Sequence, residues 1–415
     1  MDRLIISHRN NCRGCYSKNL KCFFDLGMMP LAGGFLKKSQ IASEVKIRLK
    51  VYFCKNCGLV QILDVVDPTV LFKNYFYISS VIKSLSEHFK EYSQFLKKKY
   101  LRKNGSKLLE FGSNDGVLLQ YFKDNKKIKT IGIDPSVNVS KIAKKKGLNV
   151  IVDYFTQKSA LKIKQKYGAM DVVTGSNVFA HVDDIHEIMK AAKILLKENG
   201  VFIIEVHYLL DLRKKFQYDT IYHEHLCYYS VFALKNIFKL EDLKIIDIYR
   251  LSMHGGGIRV VAAKESSSHK ISNKVEKIIA NELKNGLNKF STFKKFASKA
   301  NGHKNALKEI LIKIKNKNKN IIGYGAAGRG TTLLNYCQID TKILEYIVDL
   351  SPLRAGMLMP GVHVPIYHPE KSRKNPPDYF LVLAWNYIDS ILKQEKKLKN
   401  RGVKFIIPFP KITII

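Results

Sequence analysis

The chain has 415 residues, enough for two or three domains with full cores, and carries 71 Lys and Arg against 35 Asp and Glu, a formal charge of +36. It contains no run of about 18 apolar residues and no signal-peptide pattern after Met1-Asp2-Arg3, so no membrane segment is expected and the protein reads as soluble and cytoplasmic. The charge invites a nucleic-acid partner, but the excess is Lys scattered over helical positions such as Lys141, Lys144, Lys145 and Lys146 or along 270–320, which reads as solvated surface. An anionic substrate would benefit from it as well.

Of seven cysteines, four form two pairs, Cys12-Arg13-Gly14-Cys15 and Cys54-Lys55-Asn56-Cys57, the second followed by Gly58. Each such turn puts two sulfurs on one side of the backbone, and two turns together close a tetrahedral thiolate site. With no open coordination position implied, the zinc is expected to be structural. Cys22, Cys227 and Cys337 are left over and are expected to be small buried hydrophobes. Residues 23–36 contain Gly27, Pro30, Gly33 and Gly34, too irregular for one helix, and should form loops and short strands around the metal. In 66–82, Tyr75, Tyr77 and Ser80 make a polar-aromatic cluster that reads as core; a helical stretch then runs to Tyr100.

The stretch Lys107–Phe122, KLLEFGSNDGVLLQYF, reads as a buried strand ending in Glu110, a turn Gly112-Ser113-Asn114-Asp115-Gly116, and a helix carrying Val117, Leu118, Leu119 and Tyr121. Eighteen residues past Gly116 a second strand ends at Asp134, placed to accept both hydroxyls of a ribose. A pyrophosphate would be repelled by Glu110 and Asp115, whereas a cationic ligand would be welcome. E-x-G-x-x-x-G resembles the first motif of class I S-adenosylmethionine-dependent methyltransferases. Third and fourth strands follow with polar tips at Asp153 and at Ser176-Asn177, then a helix from Val182 and a fifth strand, Val201–Glu205.

Beyond it lies YDTIYHEHLCYYS at 218–230, too rich in ionisable groups for an ordinary core segment. His223, Glu224 and His225 could ligate a metal, but H-x-H alone lacks further ligands, and acid–base chemistry by histidine and tyrosine is preferred. The glycine run His254-Gly255-Gly256-Gly257 precedes a strand. Residues 268–318 are Lys-rich and helical, without catalytic signature, and read as a solvated linker. A second α/β unit then opens with Gly323-Tyr324-Gly325-Ala326-Ala327-Gly328, a helix from Thr331 and a strand Leu344–Asp349. This G-x-G-x-x-G, with Asp349 21 residues after Gly328, alone suggests NAD; alternatively the loop contacts substrate phosphates or only packs.

Taken together, the paired CxxC knuckles, EFGSNDG, the HEH stretch, HGGGIRV and GYGAAGRG with VDLSPLRAGMLMPG (348–361) resemble the C-methyltransferases of nucleotide-deoxysugar pathways over about residues 12–408. The resemblance implies an α/β architecture: a zinc-binding N-terminal domain (1–80), a class I methyltransferase Rossmann-like domain (81–265) and a second Rossmann-like C-terminal domain (266–415) without its own dinucleotide. It implies methylation of a carbon next to the ketone of a nucleotide-linked 4-keto deoxysugar, with His225 as base, Tyr222 and Glu224 beside it, and His181 as a further active-site histidine. The cofactor S-adenosylmethionine would be met by Glu110, Gly112, Asn114, Asp115, Gly116, Asp134, Asp153 and Asn177, and the zinc by Cys12, Cys15, Cys54 and Cys57. Asp183 and Asp184 equally suit a helix start. No membrane partner is expected, nucleic acid is disfavoured, and a homo-oligomer is compatible with this reading. The rival is a zinc-containing RNA base methyltransferase. Its N/D-P-P-aromatic motif is missing after the fourth strand, where Ser176-Asn177-Val178-Phe179 stands; Asn375-Pro376-Pro377-Asp378 reads as a turn before the strand Tyr379–Ala384. A non-catalytic scaffold is the third and weakest reading.

Overall fold

The computed structural model describes residues 6–72, 79–81 and 83–415; Tyr75 and Tyr77 lie outside them. A seven-stranded sheet forms the centre, in the order Leu243–Leu251, Gly257–Lys264, Leu196–His207, Met170–Ser176, Ser106–Phe111, Ile128–Ile133, Val150–Ile151. Gly257–Lys264 runs antiparallel to Leu196–His207, while the five strands from Leu196–His207 to Val150–Ile151 pair in parallel. The first strand, Ser106–Phe111, lies between the second and the fourth, so the strand order reverses there and a crevice opens at the carboxyl ends. Near-continuous apolar runs make these strands, as a sheet covered on both faces requires.

Four expectations need correction. The helix foreseen after Gly116 is only a single 3-10 turn, Leu119–Phe122. Val117, Leu118 and Leu119 are all buried, and three consecutive residues at 100° spacing cannot share one helix face. The irregular stretch 23–36 contributes an 11-residue strand, Leu20–Pro30, which absorbs its misfit as register shifts at Cys22/Phe24 and Asp25/Met28 against Lys46–Cys54. Cys22 is exposed on this strand, whereas Cys227 and Cys337 are buried.

The Lys-rich region is also more than a linker. Helix Phe290–Lys315 buries Phe293, Phe296, Ala300, Leu307, Leu311 and Ile314 along one face. In helix Asn273–Lys284, buried Glu282 accepts the N–H groups of Val231 and Phe232, both at 2.8 Å, and so caps the helix Val231–Lys239. The C-terminal sheet runs Ile366–Tyr367, Ile347–Val348, Ile321–Tyr324, Tyr379–Val382, Lys404–Ile407, Thr413–Ile414. It is parallel except at its last strand, a second Rossmann-like order. Among the described residues no helix is long and apolar enough to cross a membrane.

The N-terminal sheet takes Leu20–Pro30, Lys46–Cys54 and Val60–Ile62 from its own sequence and Cys227–Tyr228 from the middle of the chain. Beside it the sulfurs of Cys12, Cys15, Cys54 and Cys57 lie within 4.8 Å of one another. Cys12–Cys57 and Cys15–Cys54 are 3.6 and 3.5 Å apart. A zinc bonded to four thiolates at about 2.3 Å needs sulfur–sulfur edges of about 3.8 Å, so the cluster fits this ion. Gln61 Nε2 and Gly14 N donate to Cys12 Sγ at 3.0 and 3.3 Å, orienting that ligand from outside. One zinc per chain is therefore expected by elemental analysis. Cys57→Ser should lose it and lower the melting temperature by roughly 5 °C or more, because metal affinity is folding energy at such a site; metal-free wild type with unchanged melting would contradict this.

Candidate active site

The ionisable segment 218–230 lies beside the carboxyl end of Leu196–His207, where His207 stands 5.2 Å from the His225 ring, and it is contacted by Gly33 of the N-terminal part and Trp385 of the C-terminal part. A 3-10 turn, Tyr218–Thr220, opens it, and all three side chains are fully buried. The C-terminal part grips this turn: Trp385 Nε1 donates to Asp219 Oδ2 at 2.7 Å and Thr332 Oγ1 to the Ile221 carbonyl at 3.0 Å. Tyr218 OH meets His303 Nδ1 at 2.9 Å, and His303 Nε2 lies 2.7 Å from the Pro408 carbonyl.

His225 is held from both sides. Its Nδ1 lies 2.8 Å from the Thr220 carbonyl oxygen, which only accepts, so Nδ1 carries the proton. Nε2 is left as a lone pair, 3.0 Å from the Tyr222 hydroxyl that donates to it. This is the tautomer a general base needs. The His181 ring lies 4.9 Å from that of His225, and burial lowers its pKa to about 4, keeping it neutral. Glu224 takes the Gly33 N–H at 3.1 Å; burial raises its carboxyl while this bond lowers it, and the net shift is upward. His223 turns away: it faces the backbone of Ile47 and Arg48, and burial drops its pKa to about 4.

The sequence reading missed His207 and Tyr228, whose rings lie 5.2 and 6.4 Å from His225. His207 ends the fifth strand, and position at a strand's carboxyl end was the available signal. Asp184 caps helix Ile185–Leu195 through the Glu187 N–H at 3.0 Å, settling its role as a helix start. The C-terminal glycine loop closes on the same site. A Cβ on Gly328 would come 3.3 Å from Ala32 and 3.7 Å from the Tyr222 ring. Asp349 there accepts the N–H groups of Ala326 and Ser351 at 2.7 and 2.8 Å.

Most of the residues expected to meet the cofactor cluster around the glycine turn after Ser106–Phe111. Gly112 has φ +63, and a Cβ there would lie 2.2 Å from Val178, so only glycine brings this backbone to the fourth strand's tip. Gly116 (φ +78), Asn114 (φ 49) and Asn177 (φ 58) share the left-handed conformation. Asp134 accepts the N–H groups of Asn114 and Ser136, each at 2.8 Å, which leaves lone pairs for hydroxyl donors. Asp153 is exposed at the rim. Asp115 pairs with Lys146 at 2.7 Å and accepts the Ser80 N–H at 3.3 Å, and Asn114 Oδ1 accepts the Ser79 N–H at 3.2 Å. These two side chains tie the incoming segment to the loop.

Two carboxylates in this region have opposite status. Burial alone would raise Glu205, but Arg259 at 2.6 Å and His88 at 2.9 Å pull it down to about 2. Glu110 has no such cation: burial first, then Asp134, Glu205 and Asp115, push its pKa well above the usual value, and Oε2 has no hydrogen-bond partner among the described residues. A buried orphan carboxyl beside a glycine cradle and a ribose-type acceptor fits a cationic nucleoside such as S-adenosylmethionine. Since the cation favours ionised Glu110, its binding releases a proton, and affinity should rise with pH through the raised pKa and level off above it. Glu110→Gln should bind at least about tenfold more weakly with a flattened pH profile, and Asp134→Ala should also bind more weakly. Calorimetric titration across pH checks both; pH-independent wild-type affinity, or unchanged affinity in the variants, would refute the assignment.

Comparison with known proteins agrees with this layout. A family model described as "Putative zinc binding domain" matches residues 12–72, "Methyltransferase domain" matches 84–248, and "C-methyltransferase C-terminal domain" matches 252–410. C-methyltransferase NovU of Streptomyces niveus is 32% identical over 412 residues, covering 99% of this chain and 98% of its own. Among solved structures, an S-adenosylmethionine-dependent methyltransferase from Clostridium acetobutylicum is 20% identical, with 42% of this chain and 92% of that chain covered and a TM-score of 0.35. One from Aquifex aeolicus is 19% identical, with 45% and 98% covered and a TM-score of 0.33. With 32% identity running through its whole length, the chain belongs to the family of S-adenosylmethionine-dependent C-methyltransferases that join a zinc-binding part, a methyltransferase domain and a C-methyltransferase C-terminal domain.

Proposed function

We propose that this enzyme methylates the carbon next to the ketone of a nucleotide-linked 4-keto deoxysugar. The observation that carries the proposal is His225: its Nδ1 is committed to a carbonyl and its Nε2 lone pair accepts the Tyr222 hydroxyl, a base and a donor already in contact. A carbon acid must lose a proton before its carbon can attack, so a C-methyltransferase of this kind needs a base and a donor for the enolate oxygen. In this reading His225 Nε2 takes the α-proton, Tyr222 turns its O–H to the enolate oxygen, and Glu224 and neutral His181 line the pocket. Bound S-adenosylmethionine supplies the methyl, whose bond to sulfur breaks as the new carbon–carbon bond forms.

The sugar class rests on the motif resemblance, and the fold supports it over RNA. Phe179, at the position where an amino-methylating enzyme presents an aromatic to a flat base, is fully buried and packs on Tyr229, Phe202 and Phe238. Asp378 of the Pro-Pro stretch accepts the Asn320 N–H at 2.8 Å and pairs with Lys319, which makes it a turn brace.

His225→Asn should keep the fold and cofactor binding but lose about 10²–10⁴-fold in turnover, the usual worth of a positioned base. Tyr222→Phe should lose about 10²-fold, a donor being worth roughly 3 kcal/mol. In deuterated water without methyl donor, wild type should exchange the substrate's α-proton and His225→Asn should not; equal exchange would move the base elsewhere. Methyl-labelled cofactor offered with a panel of nucleotide 4-keto sugars and bulk RNA tests the substrate class. Label in RNA alone would defeat the proposal.

A further inference from the structure

We infer that Arg13, carried on the first cysteine knuckle, is a positioning residue that holds the His181 and His225 segments in register. The inference rests on the reading of His225 as base. Arg13 lies between two zinc-site cysteines in sequence, yet its side chain is fully buried and its donors meet Asp183 and the Ile62 and Leu226 carbonyls rather than the sulfurs. Its Nη1 donates to the carbonyls of Ile62 at 2.8 Å and Leu226 at 3.3 Å and to Gln61 Oε1 at 3.2 Å. Its Nε donates to Asp183 Oδ1 at 3.1 Å, and Nη2 stands 3.0 Å from the same oxygen.

These acceptors are not scattered. Leu226 directly follows His225, and Asp183 lies two residues after His181. The two segments also touch each other, because Leu226 N donates to the Ala180 carbonyl at 2.8 Å. One guanidinium thus spans both histidine-bearing segments and the strand Val60–Ile62, a task that needs its rigid planar fork. The chain of contacts also reaches the metal site, since Gln61 accepts from Arg13 and donates to Cys12 Sγ at 3.0 Å. Burying a guanidinium is costly unless it is paired, and here a carboxylate and three neutral oxygens accept from Nε and Nη1, while Nη2 has the Asp183 carboxylate as ion-pair partner and no hydrogen bond among the described residues. Mere docking of the zinc part would need apolar contact only. The concentration of acceptors on the residues next to the two histidines is what docking leaves unexplained.

Arg13→Met keeps an unbranched apolar side chain in place of the stem and removes the donors, while Arg13→Lys keeps charge without the fork. In Arg13→Met we expect zinc content of one per chain, cofactor affinity within about twofold and KM within about threefold, with kcat and α-proton exchange both down about 10–100-fold, since a misplacement near 1 Å can cost 10²-fold. Arg13→Lys should recover part of the loss. A purely structural role would lower melting temperature but leave kcat per folded molecule intact, and wild-type kcat and exchange in zinc-loaded Arg13→Met would overturn the inference. Should Arg13→Met fail to fold, Asp183→Ala removes one anchor at a carboxylate that is 40% exposed. A kcat lowered about 3–10-fold at constant KM supports the inference, and an unchanged kcat overturns it. His225→Asn measured alongside separates the two readings. Retained exchange there defeats the base assignment, whereas a dead His225→Asn with a wild-type Arg13→Met defeats only the role given to Arg13.

Discussion

The hydrogen bond from His225 Nδ1 to the Thr220 carbonyl is the constraint to which the rest of the molecule is fitted. A ring nitrogen that faces a main-chain carbonyl has no choice of tautomer, so the tautomer of His225 is written into the backbone course of residues 218–225. That course is a tight irregular turn with no ladder of its own. It needs partners from outside to hold its shape.

Those partners explain why three parts occur in one chain. The C-terminal part supplies Trp385 and Thr332, the N-terminal part supplies the Gly33 N–H, and the glycine loop ending at Gly328 stands against Tyr222. The second Rossmann-like sheet thus brings its own switch-point loop to the edge of another domain's site, with Asp349 occupied by the loop's backbone. Glu110 and Glu205 show the same economy of environment: two buried carboxyl groups on one sheet, one ion-paired with Arg259 and His88 and held ionised, the other pushed toward its neutral form by burial and neighbouring carboxylates. Position relative to cations, not residue type, separates their roles.

Legibility followed sequence distance. The glycine turn at 112–116, Asp134 and the cysteine pairs were readable because a strand, a turn and its ligand atoms lie within a few residues. The HEH segment announced itself by composition, and its division of labour did not: His223 and His225 differ by two positions yet face different walls. The turn after Gly116 misled because Val117–Leu119 carries a helix-like apolar count with a burial demand no helix meets. Arg13 was invisible, since its significance lies in neighbours more than a hundred residues away. Helix Phe290–Lys315 was read by its lysines, although its apolar face carries the packing.

The pairing of Cys227–Tyr228 with Val60–Gln61 has a consequence for the chain as it is made. The N-terminal sheet has an open edge at Val60–Ile62 until residue 228 leaves the ribosome, some 166 residues later by the register Cys227↔Gln61. At about 5–20 residues per second that is a wait of roughly 8–30 s, during which cysteine thiolates and an unpaired strand are both exposed. Early capture of zinc would shorten the exposure of the sulfurs but not of the edge. The strand that closes it arrives only with the histidine-rich segment 218–230, so the sheet beside the cysteine cluster and the setting of His225 are completed in the same event.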